Sequence, residues 1–107
     1  MKKAKFEFLA IAYNGGDEIG VFDKSDSFML CYLADGKAKK QQYLSLSGPL
    51  EERVQTLKDC AIDRVICKNF SPKAMAKLRE AGFKLMCFDG ATNAALKAYL
   101  AGKLREL

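Results

Sequence analysis

The 107-residue chain has no histidine. That excludes Ser-His-Asp and Cys-His nucleophile systems, imidazole metal sites, and the usual general base near neutral pH. Any catalysis would rest on carboxylates, lysines or thiols. Tryptophan is also missing and only two prolines occur, Pro49 and Pro72. No apolar run approaches the ~20 residues that span a bilayer. The basic start, Met1-Lys2-Lys3-Ala4-Lys5, is followed by an apolar stretch, Phe8 to Ala12, too short for a signal peptide's core; it reads as a first strand. A cytoplasmic location is expected. The four cysteines, Cys31, Cys60, Cys67 and Cys87, form no C-x-x-C pair, so zinc-ribbon and thioredoxin spacings are absent. Reduced, packed thiols are expected instead of a disulfide framework.

What is present is an ordinary folding composition. Half the residues are hydrophobic, enough for one domain over residues 1–107 with a full core. The net charge of +5 is mild and concentrated only at Lys37-Ala38-Lys39-Lys40, so it permits an anionic partner without demanding one.

Phe6 to Ala12 and Ser27 to Ala34 are apolar on both faces, the signature of central strands covered on both sides. Asp35-Gly36 is a hairpin signal, and the lysine- and glutamine-rich return, Lys37 to Leu46, suits an edge strand. Ser47-Gly48-Pro49 opens a helix with proline at an early helical position, with Leu50, Val54 and Leu57 as its stripe and an end near Asp59. Asp63 to Cys67 forms a fourth strand. Ser71-Pro72 caps and starts a second helix with Ala74, Met75, Leu78 and Ala81 inward, and Gly82 stops it. Phe83 to Phe88 is a fifth strand. Thr92 is placed to cap a last helix carrying Leu96, Tyr99, Leu100 and Leu104 on one side. Strand–helix alternation in the second half implies parallel strands with right-handed crossovers. The expectation is a three-layer α/β domain with a mixed five-stranded sheet and three helices.

Ligands of open α/β sheets sit beyond the carboxyl ends of the parallel strands. Those ends are Tyr13 to Asp17, Cys67 to Phe70 and Phe88 to Ala91. Cys67 and Cys87 fall near two such ends. As thiolates they could hold a soft metal or an iron–sulfur unit; as thiols they could simply be core. Asp17, Asp23, Asp26 and Asp89 could hold a hard cation, but the first strand lacks the central aspartate a two-metal nuclease needs, and Asp23 and Asp26 read first as turn residues. The lysines of the third strand lack the aromatic interleaving of nucleic-acid binders, Tyr43 apart. Gly15-Gly16 falls short of a dinucleotide-binding pattern.

Several stretches in order resemble the dinitrogenase iron–molybdenum cofactor biosynthesis family, whose members include NifX, NafY and the NifB carboxy-terminal domain. Val21-Phe22-Asp23-Lys24-Ser25-Asp26-Ser27-Phe28 resembles its "HFG-x-A-x-x-F" segment, and Leu57 to Cys60 with Val65-Ile66-Cys67 its "L-x-D-C-x-x-V-I" segment. Ser71 to Phe83 is similar to "G-P-x-A-x-x-x-L-x-x-A-G-I", and Ala94 to Leu104 to "A-L-x-x-x-L-A-G-x-L". The resemblance implies a ribonuclease-H-like fold with strand order 3-2-1-4-5, one strand antiparallel. It implies a non-catalytic accessory protein of nitrogen fixation that binds an iron–sulfur cluster or an iron–molybdenum cofactor precursor, working with a metallocluster-assembly protein or as a homodimer. By the same resemblance Asn14, Gly15, Phe22, Asp23, Ser25, Lys68 and Asn69 line the cofactor end. The family's histidine before Phe22 is Val21 here, and its glycine-rich turn after the fourth strand is Lys68-Asn69-Phe70. With imidazole gone, Cys67 and Cys87 are the metal-ligand candidates. The alternatives are a scaffold or regulatory domain of the same fold without cofactor binding and, more remotely, an anion or nucleic-acid binder.

Overall fold

A computed structural model describes residues 6–13, 20, 22, 25, 27–46 and 48–107. The elements run β1 (Phe6–Tyr13), β2 (Ser27–Ala34), β3 (Lys37–Ser45), α1 (Leu50–Asp59), β4 (Arg64–Cys67), α2 (Pro72–Glu80), β5 (Lys84–Cys87) and α3 (Thr92–Leu100). The sheet order is β3-β2-β1-β4-β5. β2 runs antiparallel to both neighbours, while β1, β4 and β5 are parallel. This is the expected mixed sheet with one reversed strand.

The apolar runs of β1 and β2 are explained by two cores. Ala10, Ala12, Phe28, Leu30, Val65, Cys67 and Leu85 face one side and pack with Val54 and Leu57 of α1 and Ala74 and Leu78 of α2. Leu9, Ile11, Met29, Cys31, Ile66 and Met86 face the other and pack beneath Ala95 and Leu96 of α3. Alternate residues point to opposite faces, so a strand buried on both sides must be apolar at every position. β3 is exposed along almost its whole length, as its lysines and glutamines require of an edge. Asp35 and Gly36 both take positive φ in the β2–β3 turn, the geometry a two-residue hairpin demands.

Several details differ from the sequence expectation. Pro49 precedes α1 as its N-cap residue, and its carbonyl accepts from the amides of Glu52 and Arg53. The buried face of α1 is Arg53, Val54 and Leu57, with Leu50 only half-buried. Ser71 does cap α2, its Oγ accepting from the Ala74 amide at 3.1 Å. Gly82, at φ 92°, closes that helix as expected, but Met75 and Ala81 are only partly buried. Phe83 is not part of β5; its amide donates to the Leu78 carbonyl and so finishes α2. Thr92 is the first residue of α3 and makes no side-chain cap, that position belonging to Ala91. α3 ends at Leu100, which is 41% exposed, and Leu104 lies beyond the helix. The buried residues of α3 are Thr92, Ala95 and Leu96.

Candidate functional site at the carboxyl end of the parallel strands

The connection after β1 returns to the sheet at Gly20, whose amide donates to the Ala12 carbonyl at 2.9 Å. Beside it, Lys68 donates its amide to the Gly20 carbonyl and Phe22 donates to the Asn69 carbonyl. These bonds stitch the corner around residue 22 to the segment leaving β4. Phe22 is fully buried, edge-on to Phe28 and stacked on Phe70 at a 6.0 Å centroid separation. Such aromatic contacts hold a corner more firmly than area burial alone.

Arg53 locks the corner from below. Its guanidinium is 9% exposed and donates to the carbonyls of Ser25 at 2.6 Å and Phe22 at 3.4 Å, while Nε donates to the Gly48 carbonyl at 3.1 Å. A turn tucked under a helix leaves carbonyls that water cannot reach, and a fork of donors satisfies several at once. Sequence reasoning missed this residue. The signal was an arginine at i+3 from Leu50, on the Leu50–Val54–Leu57 face, where a solvated side chain would not be placed.

The expected site residues separate into two groups. The side chains of Phe22 and Ser25 are fully buried, and both residues present backbone carbonyls to Arg53. Lys68 and Asn69 are exposed. Asn69 turns its Oδ1 to the Phe70 amide at 2.9 Å, and Lys68 Nζ lies 4.0 Å from Asp89 Oδ1, an exposed and therefore weak pair. Asn14, Gly15 and Asp23, with Asp17, Val21 and Asp26, lie outside the described residues.

Cys67 and Cys87 are brought together. They are register partners at the ends of β4 and β5, and the Phe88 amide donates to the Cys67 carbonyl just beyond them. Register partners project to the same face; here it is the α1–α2 side, as with Val65 and Leu85 two pairs earlier. Cys67 is fully buried, whereas Cys87 is exposed, which corrects any view of both as core. Partial burial raises the Cys87 thiol above its ordinary value. Cys31, deep in the second core, is pushed up to about 11 by burial, and Cys60 is half-buried at the end of α1. Neither belongs to the carboxyl end of the sheet. Among the described residues no group of three or more histidine, cysteine or acidic side chains could hold a metal ion. Among the described residues, this end therefore offers a two-thiol site at most.

Two hollows frame the arrangement. One of about 230 Å³, lined by Gly48, Leu50, Arg53 and Lys73, lies at the same end. Another of about 550 Å³, lined in part by Glu7, Asp35, Tyr99 and Leu104, lies at the opposite end of β1, away from the thiols.

Among known proteins the fold is well populated. A Methanocaldococcus jannaschii protein provisionally named a dinitrogenase superposes with a TM-score of 0.79 at 18% identity, covering 94% of this chain and 93% of its own. A Thermotoga protein provisionally named NifB gives 0.77 at 23% identity, covering 94% and 93%. The apo orange protein of Desulfovibrio gigas gives 0.78 at 19% identity, covering 94% and 92%. At these identities the likeness is one of fold. No curated protein matches the chain significantly. The family model described as dinitrogenase iron-molybdenum cofactor matches residues 8–102, and the chain belongs to that family.

Proposed function

We propose that this protein is a non-catalytic accessory factor of metallocluster assembly. Its cargo is an iron–sulfur cluster or an iron–molybdenum cofactor precursor, received at the carboxyl end of the parallel strands. The observation that carries the reading is the Cys67–Cys87 register pair, one thiol exposed, at the ligand end of a fold in this family. Thiolates are the soft donors such cargo uses. Two donors leave most metal positions to the cargo's own sulfides or to a partner, which suits a cluster passed on instead of kept. Cys87 makes first contact, and Cys67 stands behind it on the same face. An assembly protein that delivers or takes the cargo, or a second copy of the chain, completes the coordination.

A second reading keeps the fold and drops the cargo: a scaffold or regulatory domain. The buried Phe22 and Ser25 side chains favour it, since two of the expected cofactor contacts are not exposed.

Cadmium titration under anaerobic conditions separates the two, because sulfur-to-cadmium charge transfer counts thiolates per ion. The carrier reading expects two thiolates per ion in the wild type and one in Cys87→Ser. Equal absorbance in both proteins, or none in either, rejects it.

A further inference from the structure

We propose that Cys67 and Cys87 are a thiol–disulfide exchange pair that low-molecular-weight disulfides close into a cross-strand bridge. The pair joins register partners of the parallel strands β4 and β5, both on the α1–α2 face. Neighbouring strands lie ~4.8 Å apart, inside the ~4.4–6.8 Å Cα window for a disulfide. Parallel partners carry their Cβ atoms side by side, wider than the ~3.8 Å of a relaxed bridge, so closure stores strain and reopens readily. Strained bridges are the labile kind, not the structural kind. The strand that must adjust is short: β5 has only four residues, Cys87 is its last, and the ladder ends one bond later at Phe88.

The two sulfurs have the unequal access that such chemistry uses. Cys87 is exposed and meets the oxidant; Cys67 is fully buried beside it. With glutathione disulfide, the Cys87 thiolate attacks one sulfur, forming a mixed disulfide and releasing one glutathione thiolate. The Cys67 thiolate then attacks the Cys87 sulfur, forming the bridge and releasing the second glutathione. Two protein thiols are oxidised, one disulfide is reduced, and the two thiol protons leave on the two glutathiones. Closing the bridge removes both sulfurs from coordination. Only that consequence rests on the cargo reading; the bridge itself needs no metal.

The test incubates metal-free protein with glutathione disulfide, quenches with acid, alkylates the remaining thiols and maps the peptides by mass spectrometry. The expected wild-type product links the Cys67 and Cys87 peptides and retains no glutathione. Cys67→Ser, or Cys67→Ala if the serine variant does not fold, should instead trap one glutathione on Cys87. Cys87→Ser should leave Cys67 alkylatable after unfolding. Glutathione remaining on wild-type Cys87, a bridge to Cys31 or Cys60, an interchain disulfide, or no change overturns the proposal. Since no metal is present, failure here leaves cargo binding standing, and failure of metal loading leaves the bridge standing.

Discussion

Replacing Arg53 with methionine keeps an unbranched stem of similar helix propensity and removes every side-chain donor. In the native corner three carbonyls, of Ser25, Phe22 and Gly48, accept from this one guanidinium. A hydrogen bond to a charged group contributes about 1.5–3 kcal/mol, and the contributions of one fork are not additive. The 3.4 Å contact to Phe22 counts for little. The apolar stem of methionine recovers some packing. The net expectation is a loss of about 2–4 kcal/mol, a large part of the roughly 5–15 kcal/mol that holds a small domain. Urea denaturation at neutral pH should show a lower midpoint with an unchanged slope. Hydrogen exchange locates the damage: the amides of Phe22 and Lys68, bonded to Asn69 and Gly20, should exchange faster, while that of Ile62 at the far end of α1 should not. Arg53→Lys keeps the charge but lacks the fork, and should fall between the two. A methionine variant within about 0.5 kcal/mol of wild type, or one whose exchange rises equally everywhere, would refute the reasoning that Arg53 is the corner's lock.

Other expectations follow from the same structure. Leu57 is fully buried on the inner face of α1, so Leu57→Ala should cost about 2–5 kcal/mol by urea unfolding. Cys31 keeps its proton up to about pH 11 when folded, whereas the ordinary thiol value is 9.0. The unfolded chain therefore loses that proton first, and stability should fall as pH rises from about 9 to about 11; Cys31→Ala should flatten that slope in pH-dependent denaturation. Burial and the hydrogen bond that Tyr99 donates to Glu7 hold the phenol protonated well above the usual range, so Tyr99→Phe should cost about 1 kcal/mol, measured in the same assay at neutral pH.

The strands were legible because burial on both faces leaves no polar position, and β1 and β2 advertise that directly. The edge was legible because β3 shows the opposite composition. Helix ends were less so. Thr92 has the chemistry of a cap, but the chain places it one residue inside α3 and buries it, a tertiary choice that local propensity does not contain. Arg53 escaped for a related reason: its partners are backbone carbonyls, which carry no residue identity for a sequence to display. Cys67 and Cys87 could be assigned to neighbouring strand ends from topology. Their shared face and unequal exposure depended on the β4–β5 register, which four-residue strands specify weakly.

The claim that this fold still receives a metallocluster is tested most directly by anaerobic reconstitution with iron and sulfide. Iron content and the visible spectrum are read on wild type, Cys67→Ser and Cys87→Ser. A brown wild-type protein whose iron and absorption are lost in either variant is the expected result. A wild type that remains colourless and iron-free, or a cluster that survives both substitutions, would contradict it.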